Sequence, residues 1–169
     1  MMLPWLRKLT LIFHVTTSVG WLGAVGVFLA VALIGLSSPN PQLVRAAYLV
    51  MAPAAWVVLV PLALTSLLTG LIQSLGTTWG LFRHYWVIFK LLINIFAVVV
   101  LLMYTRTLSY LADIAATASV ASGDFGILRT PSVVLHSVLA IILLIVATTL
   151  AVYKPRGMTR YGLKSHDIS

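Results

Sequence analysis

Four long apolar runs limit what this chain can fold into. They cover residues 9–36, 46–75, 85–105 and 133–153. A helix needs roughly 20 apolar residues to cross the hydrocarbon core of a bilayer, and each run reaches that length. Of the 169 residues, 61% are hydrophobic and 8% charged, which is too little polar surface to keep a soluble domain dissolved. The sequence therefore predicts an all-α, polytopic membrane protein in which residues 1–153 form a single four-transmembrane-helix bundle.

The basic residues at the ends of the runs predict the orientation of this bundle. Cytoplasmic loops of membrane proteins carry an excess of lysine and arginine. One side of the bundle receives Arg7, Lys8, Arg83, Lys154, Arg156, Arg160 and Lys164, whereas the other receives Arg45, Arg106 and Arg129 together with Asp113 and Asp124. We therefore expect both termini in the cytoplasm, with residues 154–169 as a basic cytoplasmic tail on or near the anionic inner leaflet.

Composition excludes or disfavours several classes of function. The net charge of +8 does not indicate nucleic-acid binding, because the basic residues cluster at the membrane boundaries. The chain has no cysteine, which excludes thiolate metal sites and thiol nucleophiles. No run contains a carboxylate, so the acidic proton relay of ion pumps is missing. The methionines are scattered, which disfavours copper handling.

Prolines and small polar residues predict the connections. Residues 37–41 form a proline-containing turn cluster, and Pro53 and Pro61 interrupt the second run, where we expect a kink. After Thr107 the composition becomes more polar, which indicates a helical extension of the third helix followed by a loop at residues 122–124.

Three histidine or lysine side chains lie inside the apolar runs, namely those of His14, Lys90 and His136. Such residues cost about 2.5 to 3.5 kcal/mol to insert and are therefore the best indicators of function. His14 and Lys90 each follow a basic residue of the cytoplasmic boundary by six positions, which places both roughly 9 Å below that boundary. His136 lies near the external face, on the order of 15 Å away in depth. His136 is thus a separate candidate metal ligand, which we do not expect to share an iron with His14. Its simplest hydrogen-bond partner is water near the membrane edge.

Two of these residues, His14 and Lys90, share a helix face with other polar or aromatic residues and so belong to polar stripes. His14, Ser18 and Trp21 share one face of the first helix, and Trp86, Lys90 and Asn94 share one face of the third. Two stripes at matching depth predict a shared interior site. The alternatives are a histidine hydrogen-bonded across helices, worth about 0.6 kcal/mol, and a lysine whose amine extends to the cytoplasmic surface.

A porphyrin suits histidine and lysine in an apolar bundle. Neutral imidazole ligates iron, and basic residues hold the propionates. Arg83 and His84 lie where cytoplasm-facing propionates would be placed. The predicted haem-binding residues are therefore His14, Lys90, Trp21, Trp86, Asn94, Arg83 and His84, with His14 as the iron ligand.

Two short patterns resemble a known family. The spacing His14-x6-Trp21-x-Gly23 and the segment Trp86-x3-Lys90-Leu91 resemble the HemJ-type protoporphyrinogen oxidases and the related CopD-like proteins. The whole chain, including its tail, is most similar to uncharacterised bacterial four-helix integral membrane proteins of that group. The resemblance implies that His14 and Lys90 are associated with haem b and with activity. It also implies a location in the inner (plasma) membrane of a bacterium.

Three hypotheses follow. The first is a haem-b-binding redox protein in which Lys90 either ligates iron as a free amine or pairs with a propionate. The second is a non-catalytic accessory or assembly subunit of a larger membrane complex, or a homo-oligomer. The third is a CopD-like copper transporter, which the scattered methionines disfavour. The residues alone do not decide whether the protein is an enzyme.

Overall fold

A computed structural model of the protein describes residues 2–77, 80–118, 125–159 and 162–163. Four helical units form the bundle, of which the first is α1 (Pro4–Ser37) and the third is α4 (Tyr85–Thr117). The second unit begins with α2 (Pro41–Ala54), which continues through a π-helical turn (Ala55–Leu59) into α3 (Val60–Gly76). The fourth unit consists of the short α5 (Phe125–Leu128) and of α6 (Ser132–Tyr153). Each unit is long and apolar enough to span a membrane. The described residues contain no β-strand, so the predicted all-α fold is confirmed.

The four units pack as a square bundle. The first, α1, packs against α2, α3 and α6, and α4 packs against the same three helices, so α1 and α4 stand at diagonally opposite corners. The buried centre includes Trp21, Tyr48 and Met51, whereas long apolar side chains cover the outside. We call the end of the bundle that carries the start of α1 and the end of α6 the terminal end, and the opposite end the loop end.

The helix boundaries follow from local chemistry. Because Pro39 and Pro41 cannot continue a helix, α1 ends at Ser37. The side chain of Asn40 then caps α2 by accepting a hydrogen bond of 2.9 Å from the amide of Gln42. The predicted extension of the third helix is confirmed, since α4 continues to Thr117. The predicted loop at residues 122–124 lies outside the described residues.

The second helical unit is interrupted as its prolines predict. Pro53 lies within α2, and the chain passes directly into the π-helical turn, where the amide of Val60 donates to the carbonyl of Ala55. Pro61 follows at the start of α3. A proline has no amide hydrogen, so the regular hydrogen-bond ladder cannot pass through either position, and the wider turn absorbs the mismatch. The turn leaves Ala55 and Leu59 buried in the core.

Two arginines at the loop end bind the ends of helices. Arg45 donates from Nη2 to the carbonyl of Ala116 at 2.7 Å, and Arg129 donates from Nη2 to the carbonyl of Ser38 at 2.9 Å. The final carbonyls of a helix lack intrahelical partners and carry partial negative charge. These arginines therefore stabilise helix termini, which explains why basic residues occur at the end predicted to be external.

The first part of the tail folds against the second loop at the terminal end. The amide of Thr159 donates to the carbonyl of Arg83 at 2.9 Å, and its hydroxyl donates to the carbonyl of Phe82 at 2.5 Å. The amide of Tyr85 in turn donates to the carbonyl of Gly157 at 3.3 Å. The basic residues of the tail predict a position at the inner leaflet but do not indicate this contact. Residues 157–159 thus satisfy backbone groups beside the first turn of α4.

Candidate functional site

His14 belongs to α1, and residues of α3 hold its ring from one side. Its Nδ1 atom is 3.1 Å from the carbonyl oxygen of Ser66 and 3.1 Å from the hydroxyl of Thr69. That hydroxyl has its own acceptor, the carbonyl of Thr65 at 2.6 Å. Because a carbonyl oxygen only accepts, Nδ1 carries the hydrogen and donates it. Nε2 of the neutral ring consequently presents a lone pair to the bundle interior.

The close approach of His14 to α3 depends on a glycine. A Cβ atom built on Gly70 would lie 3.0 Å from Cε1 of His14, closer than ordinary van der Waals contact. Ser18, one turn beyond His14, binds the hydroxyl of Ser66 at 2.7 Å. Small residues in α3 thus let its backbone reach the histidine, as is common between membrane helices.

Lys90 meets His14 from the opposite corner of the bundle. Its Nζ atom lies 3.3 Å from Nε2 of His14, and both side chains are half-buried. Since Nε2 holds the lone pair, the amine of Lys90 donates this hydrogen bond. We call these two side chains the His14–Lys90 pair. The predicted proximity of the two residues is confirmed, and the contact joins helices that otherwise stand diagonally apart.

The other predicted residues of the two polar stripes lie around the pair rather than in it. Buried Asn94 donates from Nδ2 to the carbonyl of Lys90 at 2.9 Å. Trp86 is buried one turn before Lys90, with its ring centroid 6.5 Å from that of His84. Trp21 is buried as well, about 10 Å farther along α1 than His14. Their predicted role in binding a cofactor stays a prediction.

Arg83 and His84 belong to the loop that receives the tail. The carbonyl of Arg83 accepts from Thr159, and His84 forms a single antiparallel bridge with Met158. A Cβ atom on Gly162 would come within 2.5 Å of the Arg83 carbonyl, so only glycine fits there. The tail therefore contacts the loop that is predicted to face the propionates. The role of this loop in haem binding remains a prediction.

His136 lies far from the His14–Lys90 pair, as the depth estimate predicts. Its ring is stacked on that of Tyr104, with the centroids 3.9 Å apart. Tyr104 is fourteen residues beyond Lys90 on α4, a distance of about 21 Å along the axis. Within the described ranges, no group of three histidine, cysteine, aspartate or glutamate side chains is close enough to hold a metal ion. His14 and His136 therefore do not form one metal site.

Ser66 and Thr69 belong to the site, although the sequence does not predict this role for them. They lie three residues apart on α3, and both are buried. Residues at this spacing share a helix face, so a polar stripe within an apolar run was available as a signal. Serine and threonine are common in membrane helices, where their hydroxyls bond the preceding turn, and the signal is consequently weak.

Comparison with protein-family models, with curated proteins and with solved structures finds no match for this chain. The resemblance to HemJ-type and CopD-like proteins therefore stays a prediction.

Proposed function

We propose that this integral membrane protein binds haem b through His14, in the half of the bundle nearest its termini, for a redox role. The hydrogen bonding of His14 carries the proposal. Metal-ligating histidines almost always donate their second ring N–H to a carbonyl or carboxylate, which fixes the ring and its tautomer. His14 donates from Nδ1 to the Ser66 carbonyl, leaving Nε2 as the atom available to a metal.

The donor set around His14 fits a haem better than a bare metal ion. A neutral imidazole is a common axial ligand of haem iron, and haem supplies one-electron transfer. A metal ion held by protein alone needs three or four ligands, and the described residues provide no such cluster. A porphyrin brings four nitrogen atoms of its own, so one or two protein ligands suffice.

Lys90 would have to leave its present position for His14 to ligate iron. Nε2 has one lone pair, and the amine of Lys90 donates to it. The four-carbon stem of lysine is flexible enough to rotate away. The released amine would serve either as a second ligand or as the partner of a propionate.

Absorption spectra of the purified protein test the proposal. After haem supplementation we expect a Soret band in the wild type and in His136→Ala, because His136 is remote from the pair, and loss of the band in His14→Ala. If the wild type shows no Soret band, or if His14→Ala keeps an unchanged one, haem ligation by His14 is wrong. A stoichiometric co-purifying protein without any cofactor would instead favour the accessory-subunit hypothesis.

The spectrum of Lys90→Ala assigns the role of the lysine. If Lys90 is the second ligand, its loss shifts the Soret maximum and changes the spin state. If it pairs with a propionate, the maximum stays in place, haem binds more weakly, and Lys90→Arg restores the affinity.

A further inference from the structure

Three features of α3 meet the Nδ1 edge of the His14 ring. The carbonyl oxygen of Ser66 and the hydroxyl of Thr69 each lie 3.1 Å from Nδ1, and Gly70 leaves room for the ring. Residues 66, 69 and 70 have the i, i+3, i+4 spacing of a single helix face. This face of α3 therefore places two oxygen atoms at one ring nitrogen and leaves the other nitrogen to the bundle interior.

The hydroxyl of Thr69 is placed to accept from the ring. It has one hydrogen and two lone pairs, and its hydrogen is directed at carbonyls of its own helix, at 2.6 Å to that of Thr65 and 3.2 Å to that of Ser66. A lone pair therefore faces Nδ1 of His14, at a distance within the usual range for an N–H···O hydrogen bond. If Nε2 held the ring hydrogen instead, Nδ1 would face two oxygen atoms without a hydrogen between them.

The two acceptors of the Nδ1 hydrogen differ in their surroundings. The Ser66 carbonyl belongs to the regular hydrogen-bond ladder of α3, which directs the amide of Gly70 at it. The Thr69 oxygen lies in a chain of hydrogen bonds that runs from His14 through Thr69 to the carbonyl of Thr65. Hydrogen bonds in such a chain polarise one another where the dielectric is low, so a hydroxyl that donates is also a better acceptor. We therefore expect the Thr69 hydroxyl to contribute substantially to holding the ring.

We propose that Thr69 is a positioning residue for His14, whose hydroxyl holds the tautomer with the lone pair on Nε2 and lowers the reduction potential of haem iron bound there. The effect on the potential rests on the haem binding proposed above, whereas the effect on the tautomer does not. An acceptor at the second ring nitrogen makes the imidazole a more basic ligand. A more basic ligand favours ferric over ferrous iron, because the ferric ion has the greater positive charge, and such hydrogen bonds are one means of setting haem potentials.

Substitutions at one position separate the hydroxyl from the shape of the side chain. Thr69→Val removes the hydroxyl and keeps the shape, whereas Thr69→Ser keeps the hydroxyl and removes a methyl group. Thr105→Val is the matched control, because Thr105 is buried and its hydroxyl donates to the carbonyl of Leu102 in its own helix at 2.7 Å. Thr105 lies fifteen residues beyond Lys90, about 22 Å along α4. If circular dichroism melts show that Thr69→Val is unfolded, Thr69→Ala replaces it.

NMR of the haem-free protein in nanodiscs, labelled with ¹⁵N-histidine, tests the effect on the tautomer. Loss of a signal in His14→Ala identifies His14 among the four histidines. In the wild type, where no substitution is needed, we expect Nδ1 of His14 to be protonated and Nε2 to be unprotonated. In Thr69→Val the Nδ1 hydrogen should exchange with water faster, by up to about tenfold for the loss of one hydrogen bond. Thr69→Ser and Thr105→Val should exchange at the wild-type rate.

Redox titration of the haem-loaded protein tests the effect on the potential. An electrode supplies one electron per iron through soluble mediators, so the natural electron partner is not required. We expect a higher midpoint potential in Thr69→Val than in the wild type, recovery of the wild-type potential in Thr69→Ser, and no change in Thr105→Val. A tenfold loss of the preference for ferric iron would appear as a rise of about 59 mV for this one-electron couple.

Each effect has its own contradicting result. If Nε2 of wild-type His14 is protonated, or if Thr69→Val exchanges at the wild-type rate, Thr69 does not hold the tautomer. If Thr69→Val binds haem with the wild-type potential, or if Thr69→Ser fails to restore that potential, the hydroxyl does not set it. A wild-type protein that binds no haem would refute the haem proposal and with it the effect on the potential, whereas the exchange rates would still decide whether Thr69 positions His14.

Discussion

His14 and His136 have the same tautomer for the same physical reason and face different surroundings. Each donates from Nδ1 to a backbone carbonyl, that of Ser66 or that of Ser132, and each keeps a lone pair on Nε2. For His14 this lone pair meets the amine of Lys90. His136, in contrast, is exposed, and its ring is stacked on that of Tyr104. The same tautomer is therefore held between helices at His14 and lies on the surface of the bundle at His136.

The crowding of His14 by α3 can be tested at a single position. Gly70→Ala places a methyl group 3.0 Å from Cε1 of a ring held by two hydrogen bonds. We expect a lower melting temperature in detergent and weaker haem binding, because the ring must shift away from Ser66.

Gly23→Ala is the matched control, since its added methyl group meets no other atom within 4 Å. Alanine is about 1 kcal/mol better than glycine in a helix, so this variant should melt at or above the wild-type temperature. If Gly70→Ala gains as much stability as Gly23→Ala, α3 does not crowd His14.

At the scale of helices and loops, the docked tail is the least expected element. The hydroxyl of Thr159 donates to the carbonyl of Phe82 and accepts from the amide of Gly162 at 3.2 Å. Thr159→Val keeps the shape of the side chain and removes both hydrogen bonds. We expect trypsin to cleave after Arg156 several-fold faster, because the tail separates from the loop more often.

Thr149→Val is the control for this prediction. The hydroxyl of Thr149 binds only its own helix, at the carbonyl of Ile145, on an exposed face of α6. Its loss should leave the cleavage rate unchanged, as measured by mass spectrometry over a digestion time course. Equal rates in the wild type, Thr159→Val and Thr149→Val would mean that the threonine does not hold the tail.

The sequence predicts the helices of this protein more directly than it predicts the contacts between these helices. Length and hydropathy predict four spanning segments, and helix geometry with the boundary charges predicts that His14 and Lys90 lie at one depth. The spans follow from the length of each apolar run, and the depth follows from the number of residues between each side chain and its boundary. The π-helical turn is harder to predict, because prolines indicate an interruption but not which local geometry absorbs it. The contact of Thr159 with Phe82 joins residues 77 positions apart, and its acceptor is a backbone carbonyl, a group that every residue carries.

At the scale of the whole molecule, the candidate site lies in one half of the bundle. The His14–Lys90 pair lies near the terminal end, where the first part of the tail contacts the second loop. Four spanning units would place the start of α1 and the end of α6 on one side of the membrane. The charge distribution predicts that this side is the cytoplasm.

The absence of cysteine allows the orientation to be tested directly. Gln42→Cys introduces a thiol at the exposed start of α2, and Arg156→Cys introduces one in the exposed tail. With a membrane-impermeant maleimide we expect Gln42→Cys to react in right-side-out spheroplasts and Arg156→Cys to react only in inside-out vesicles. The opposite pattern would place the termini outside.

The most direct test of the haem proposal is chemical rescue of the ligand. His14→Gly removes the imidazole and leaves a space that free imidazole can enter. We expect no Soret band after haem supplementation of His14→Gly, and recovery of a band like that of the wild type when imidazole is added. A band in His14→Gly without imidazole, or a wild-type protein that binds no haem, would contradict haem ligation by His14.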